Sequence, residues 1–249
     1  MPTQTKAVVG ASPQGTGNPQ QAAREVQQMF TSIAPRYDLL NHLLSFNVDR
    51  LWWRRAARTF SPILALPGAR VLDLCCGTGD MAFALRRAAP HSPAILGADF
   101  SHAMLQRASQ KSVGTSLRWI EADALRLPFP DASFDLVTSA FGFRNLADYD
   151  AGLREIACIL RPQGECGILD FGEPRGLVGR LYRIYFRRVL PAVGTLISGV
   201  HGPYAYLPAS VEKFPAPDEM LERMRRAGFR EVSWMPYTFG IAGLYRGKK

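Results

Sequence analysis

Val71-Leu72-Asp73-Leu74-Cys75-Cys76-Gly77-Thr78-Gly79-Asp80 is the stretch whose reading decides the fold. It opens as a nearly continuous apolar run, the pattern of a strand buried on both faces. Gly77-Thr78-Gly79 ends the run, and residues 80–89 resume as a helix with Asp80 near its start. A strand that turns through glycines into a helix is the first unit of an open α/β sheet. A nucleotide-like ligand binds at that turn, because glycines let the backbone approach it closely.

Further strand-like runs follow at 94–98, 117–120, 134–139 and 167–171, separated by segments that can hold crossover helices. Such alternation predicts a parallel sheet with helices on both faces. Residues 230–235 and 237–245, parted only by Pro236 and its neighbours, close the chain as a hairpin-like pair. Upstream, residues 25–60 are helix-like and rich in aromatics, with Met29, Phe30, Ile33, Tyr37, Leu40, Leu43 and Leu44 at helical spacing. Ser61, Pro62, Pro67 and Gly68 then punctuate the chain before the first strand. Residues 1–20 are rich in Gly, Pro, Gln, Ser and Thr, cannot offset the entropy of ordering, and read as a disordered tail. The expected organisation is a tail at 1–20 and a single domain at 21–249. That domain comprises a helical substrate-side element at 25–60 and an α/β core at 61–249, which includes an amphipathic segment at 176–200.

The 249 residues suit one core, and 47% apolar with 20% charged residues are ordinary for a soluble enzyme. A net charge of +9 points to an anionic partner: nucleic acid, an anionic membrane or an acidic small molecule. Cys75, Cys76, Cys158 and Cys166 form no CxxC pair and no His-containing metal spacing, and no secretory signal precedes them. A reduced, cytoplasmic setting and no metal are therefore expected. No uninterrupted apolar run reaches the roughly 18 residues of a membrane span, which leaves peripheral attachment open.

Charge beside the glycine loop bears on the ligand. Gly77 to Ala82 fits GxGxxA, and Asp99 lies near the distance expected of a dinucleotide site. Asp73 and Asp80 flank those glycines, however, and each would repel a pyrophosphate by about 1 kcal/mol even at solvent-like dielectric. S-adenosylmethionine carries an ammonium and a sulfonium and no phosphate, so the same acids attract it. Asp99 ends the second strand, where a carboxylate can accept from both ribose hydroxyls, and Phe100 follows it. Asp123 ends the third, where it can accept from an adenine amino group while Ala124 offers its N–H. Any one acid could equally cap a helix. Together Asp73, Gly77, Thr78, Gly79, Asp99, Phe100, Asp123 and Ala124 outline one cofactor site.

Four longer segments resemble the ubiquinone/menaquinone biosynthesis C-methyltransferase family. They are Phe30-Thr31-Ser32-Ile33-Ala34-Pro35-Arg36-Tyr37-Asp38 with Asn41, Leu44-Ser45 and Trp53-Arg54; Phe141-Gly142-Phe143-Arg144-Asn145; Tyr204-Ala205-Tyr206-Leu207-Pro208-Ala209-Ser210-Val211; and Thr238-Phe239-Gly240-Ile241-Ala242. The likeness runs from about Phe30 to Lys249 and implies methylation of a ring carbon of a polyprenylated quinol. The implied fold is the doubly wound, mostly parallel seven-stranded sheet of class I S-adenosylmethionine-dependent methyltransferases, Rossmann-like, with an N-terminal helical extension. The resemblance also implies Thr78, Asp99, Asp123 and Ala124 as cofactor contacts. Two positions depart from it: Asn47 replaces the usual glycine, and Ala140 replaces a Ser of some members.

Ring-carbon methylation needs a phenolate, whereas a phenol ionises near pH 10 by analogy with Tyr. Arg144 is the candidate to stabilise the developing oxyanion, and Asn145 the candidate to orient the ring oxygen. A water held by Arg144, Asp38, His42 or His201 are alternatives for taking the proton. In 176–200, Val178, Leu181, Tyr182, Tyr185 and Val189 share one helical face, and Arg180, Arg183 and Arg187 the other. That helix suits either the surface of the sheet or an anionic bilayer.

Demethylmenaquinol is the preferred substrate over a methoxybenzoquinol. An RNA methyltransferase and a catalytically silent regulator are the competing readings. Against nucleic acid as a partner, Thr138-Ser139-Ala140-Phe141 lacks an Asp/Asn-Pro-Pro-aromatic loop, and no cysteine follows a proline. The expected setting is cytoplasmic with peripheral attachment at the inner membrane face, and a homo-oligomer is compatible with the sequence.

Overall fold

A strand buried on both faces needs helices above and below it, and the chain supplies both layers. The computed structural model describes residues 10–11, 18–34, 45, 47–91, 93–174, 176, 179, 185 and 203–249. Its elements run α1 (Pro19–Ile33), α2 (Val48–Thr59), α3 (Ser61–Leu64), β1 (Arg70–Leu74), α4 (Asp80–Ala88), β2 (Ala94–Asp99), α5 (His102–Lys111) and β3 (Arg118–Glu121). Then come β4 (Phe134–Ala140), α6 (Tyr149–Ile159), β5 (Leu160–Phe171), α7 (Pro203–Lys213), α8 (Pro217–Arg226), β6 (Arg230–Tyr237) and β7 (Ala242–Lys248).

The strands form one seven-stranded sheet in the order β3-β2-β1-β4-β5-β7-β6. β1 to β5 are parallel to their neighbours, and β7 runs antiparallel between β5 and β6. Chain order reverses between β1 and β4, so the crevice at their carboxyl ends is the expected place for a ligand. In register, Asp73 pairs with Gly97 of β2 and with Thr138 of β4. Alternation along β1 divides the core. Leu72 and Leu74 pack with Leu153, Ile156, Met220 and Met224, whereas Val71 packs with Trp53, Phe60, Met81 and Leu85. The doubly wound, mostly parallel sheet expected from the alternation is therefore present.

Boundaries moved where local chemistry overrode the apolar pattern. α1 starts at Pro19, ahead of the helical run read from residue 25, because the Asn18 side chain accepts from the Gln21 N–H at 2.8 Å and Pro19 sits at the first turn. β5 starts at Leu160, where Pro162, Gly164 and a positive φ at Gln163 disguise the strand. β7 starts at Ala242, because Thr238–Gly240 make a short 3-10 turn after β6. Asn47 has φ 60 at the entry to α2, a left-handed conformation that asparagine tolerates in place of glycine. Among the described residues no helix is long and apolar enough to cross a membrane. The tail at 1–20 apart from 10–11 and 18–20, the segment 176–200 apart from 176, 179 and 185, and Asp38, His42 and His201 lie outside the described residues.

Gly167 on β5 shows how tightly the sheet meets its cover. A Cβ there would lie 2.3 Å from the ring of Phe60, itself fully buried. Gly167→Ala is expected to destabilise the protein by about 1 to 3 kcal/mol through overpacking, read as a lower thermal midpoint. An unchanged midpoint would mean that α2 and α3 sit loosely on the sheet.

Candidate active site

β1 ends at Leu74 and its chain turns sharply: Cys75, Gly77 and Gly79 all have positive φ, at 53, 54 and 90°. For Cys75 this is a strained conformation. Gly142, beyond β4, leaves it room, because a Cβ on Gly142 would lie 2.4 Å from that of Cys75. Gly79 and Gly97 make space for Trp119, whose indole would lie 2.4 Å from a Cβ on either. At Gly79 the missing side chain thus serves packing behind the loop as well as the turn itself.

Four acids come to the crevice in different states. Asp73 is fully buried, and its Oδ1 accepts from Thr138 Oγ1 at 2.9 Å. Its Oδ2 is also buried and makes no hydrogen bond of good geometry among the described residues, although the Ala82 N–H, like the Thr138 hydroxyl, holds the carboxyl down. Burial, reinforced by nearby Asp99 and Asp80, pushes the Asp73 carboxyl up to about 7. Asp99 accepts from the N–H groups of Gly77 at 2.8 Å and Ser101 at 2.9 Å, yet burial still raises it to about 6. Asp80 differs: Lys111 of α5 reaches it at 2.7 Å and Thr78 Oγ1 at 3.2 Å. From its place in the chain Asp80 stands beside Asp73 as an attraction for a cation; in the structure Lys111 already counters its charge. Asp123 is exposed and accepts from Leu125 N–H at 2.9 Å, with Ala124 buried beside it.

α1 closes over the β2 end of this crevice. Gln27 Nε2 donates to the carbonyl of Phe100, and Thr31 Oγ1 lies 3.3 Å from Ser101 Oγ. Ile33 and Phe30 pack with Met104 beneath it.

Arg144 follows β4, in a short 3-10 turn, and is buried. Its Nη1 donates to Asp170 Oδ1 at 3.0 Å and to the carbonyl of Phe141, its Nε to Ser210 Oγ at 3.3 Å, and its backbone N–H to Asp170 Oδ2 at 3.1 Å. The guanidinium carbon lies 5.2 Å from the Phe171 ring centre. Burial raises the Asp170 carboxyl, and Arg144 works against that rise. Asn145 Oδ1 accepts from Tyr206 O–H at 3.2 Å. Trp52, Phe141 and Phe171 complete an aromatic wall, with centroids 4.6 to 6.2 Å apart.

One cavity of about 410 Å³ joins these groups, within the range of small-molecule sites. Every site residue expected from the sequence lines it except Gly79. Asp170, Ser210, Tyr206 and the aromatic wall were not singled out as site residues. Asp170 carries the same signal as Asp99, an acid closing an apolar strand, and was readable on that ground; Ser210 and Tyr206 come from a distant helix. Burial pushes the thiols of Cys75 and Cys76 well above their usual range, so neither is a thiolate nucleophile.

Removing Arg144 would strand the Asp170 charge inside the protein. Arg144→Ala is therefore expected to cost about 3 to 5 kcal/mol of stability as well as any activity. Arg144→Met with Asp170→Asn should cost less than the single change in a denaturant titration; a larger cost would show that the pair is not what holds this corner.

The site and fold have relatives. A sequence model of the ubiE/COQ5 methyltransferase family matches residues 18–249. A demethylmenaquinone methyltransferase from Deinococcus radiodurans is 50% identical over 236 residues, covering 94% of this chain and 96% of that protein. One from Thermus thermophilus is 50% identical over 226 residues, 89% of this chain and 100% of that protein. Among solved structures, a SAM-dependent methyltransferase from Thermotoga maritima, described as a possible histamine N-methyltransferase, superposes with a TM-score of 0.63 at 19% identity. It covers 89% of this chain and 98% of that one, and it bears on the fold alone. The resemblance drawn from Phe30, Phe141, Tyr204 and Thr238 thus agrees with the match along nearly the whole chain, and this protein belongs to the ubiE/COQ5 methyltransferase family.

Proposed function

We propose that this protein transfers a methyl group from S-adenosylmethionine to a ring carbon of a polyprenylated quinol, demethylmenaquinol before a methoxybenzoquinol. The observation that carries the reading is one cavity lined both by Asp73, with a buried carboxylate oxygen that no described residue hydrogen-bonds in good geometry, and by Arg144 among aromatic rings. The names of the half-identical relatives support the naphthoquinol choice.

The residues present fit the methyl donor. Asp73 Oδ2 would take the ammonium, Asp99 the ribose hydroxyls, and Asp123 with Ala124 and Phe100 the adenine, with Gly77, Thr78 and Gly79 shaping the loop beside them. When bound, S-adenosylmethionine supplies an electrophilic methyl on a sulfonium. Trp52, Phe141 and Phe171 would exclude water and hold the quinol ring flat against them. Arg144, locked by Asp170, would stabilise charge developing on the ring oxygen, and Asn145, held by Tyr206, would orient it. Protonated Cys75 and Cys76 disfavour a cysteine-dependent nucleic acid reaction.

Asp73 makes cofactor binding depend on pH. Its folded pKa of about 7 lies above that of an unfolded aspartate, so its contribution to apo stability is present at low pH and lost as pH rises through about 7. A bound cation favours the ionised form and reverses this. S-adenosylmethionine affinity by calorimetry should rise roughly tenfold between about pH 5.5 and pH 7.5, and Asp73→Asn should remove the part of that rise above about pH 6.5, leaving the part that Asp99, raised to about 6, contributes; a pH-independent wild type would remove Asp73 from the role. The substrate is tested by supplying labelled S-adenosylmethionine with each demethylated quinol, reduced in situ. Label is expected on a ring carbon, more with the naphthoquinol; transfer to RNA and to neither quinol would overturn the proposal.

A further inference from the structure

Beside the cavity, outside its lining, the protein presents two large apolar side chains to solvent. Phe239 is 80% exposed and Leu51 is 58% exposed. They lie on distant parts of the sequence and are brought together by their neighbours: Trp52 Nε1 donates to Thr238 Oγ1 at 2.8 Å. Trp52, Thr238 and Ile241 line the cavity, and Leu51 and Phe239, outside that lining, each stand next in sequence to a lining residue. The backbone that presents Phe239 is unusual. Thr238, Phe239 and Gly240 have φ of 45, 58 and 90° in succession, a left-handed run that a β-branched residue rarely enters. A strained turn that turns a phenylalanine outward gains no internal packing from it.

The surface around them is cationic. α2 carries Arg50, Arg54, Arg55 and Arg58 exposed, while its one acid, Asp49, is buried. Arg55 lies 4.4 Å above the Tyr237 ring and donates to Met235 Sδ at 3.7 Å, so this side of α2 rests against β6. Isolated exposed apolar residues need no explanation. Two of them beside exposed arginines, each next in sequence to a residue lining an aromatic cavity, make the chemistry of a bilayer interface: apolar groups to insert and cations to meet lipid phosphates.

We propose that Leu51, Phe239 and the outer arginines of α2 dock this protein on an anionic lipid bilayer with the cavity mouth facing the membrane. This rests on the quinol reading, which requires the cavity to receive a lipid-dissolved substrate. A second copy of the chain is a poorer occupant, since a two-fold contact would set these arginines against their own equivalents.

The test uses the full chain and vesicles of phosphatidylcholine, alone or mixed with phosphatidylglycerol. Wild type should float with the mixed vesicles and bind the neutral ones at least about tenfold more weakly. Phe239→Ser and Leu51→Ser should each weaken binding to the mixed vesicles by roughly fivefold or more, and Arg54→Glu should reduce the preference for anionic lipid. All three should keep the wild-type thermal midpoint and the wild-type rate on a soluble, tail-less quinol, and lose rate on a long-chain quinol held in vesicles. Equal wild-type binding to both vesicles, variants that bind as wild type does, or a change only in self-association or RNA binding would overturn the docking surface. A wild type that methylates no soluble quinol would instead sink the substrate reading, and the vesicle comparison would still decide the surface.

Discussion

The hydrogen bond from Thr138 to Asp73 spans β1 and β4 at the point where the sheet reverses its order, with both partners buried. Everything that gathers at the crevice depends on that pairing. It uses one carboxylate oxygen and leaves the other with no hydrogen bond of good geometry among the described residues, in a strand whose other buried members are Val71, Leu72 and Leu74. An apolar strand so enclosed would be more stable with another apolar side chain at that position. On the proposed reading, a cation entering the crevice would offset the cost of enclosing a carboxylate there and so couple fold and ligand at a single residue.

A second buried pair performs the corresponding work across the cavity. Arg144 and Asp170 face each other from the exit of β4 and the end of β5, and Ser210 of α7 completes the arginine's contacts. Such a pair adds little net stability because desolvation opposes attraction, but it fixes geometry closely. On the proposed reading the guanidinium would be both structural and chemical, since its charge is already held in place and lies 5.2 Å from the Phe171 ring centre. Preorganised charge of this kind needs no reorganisation as a reaction proceeds.

Between the two pairs the strained turns share a logic. Cys75 and Phe141 both take left-handed conformations where β1 and β4 leave the sheet, and Gly142 gives up its side chain so that the first can do so. Asn47 and Thr238 repeat the pattern at the entry to α2 and after β6. Cys75, Phe141 and Thr238 line the cavity, whereas Ala132, Gln163 and Glu231 carry the same conformation away from it, and the well-packed sheet sustains both sets.

Much of this was legible in the chain itself. Apolar runs broken by glycine and proline determined the order of strands and helices, since buried strands must be apolar along their whole length. Acids closing those runs, Asp73, Asp99 and Asp123, marked the crevice, because a parallel sheet brings its carboxyl ends to one edge. What the chain could not state was which of its charges would be answered by another. That Lys111 counters Asp80, that Asp170 holds Arg144, and that Asp73 keeps one oxygen without a hydrogen bond of good geometry among the described residues follow from contacts between residues dozens of positions apart. Local pattern determined the elements and the location of the site. Only tertiary packing decided the electrostatic state of each group in it, because burial and partners, not residue type, set what a charge can do.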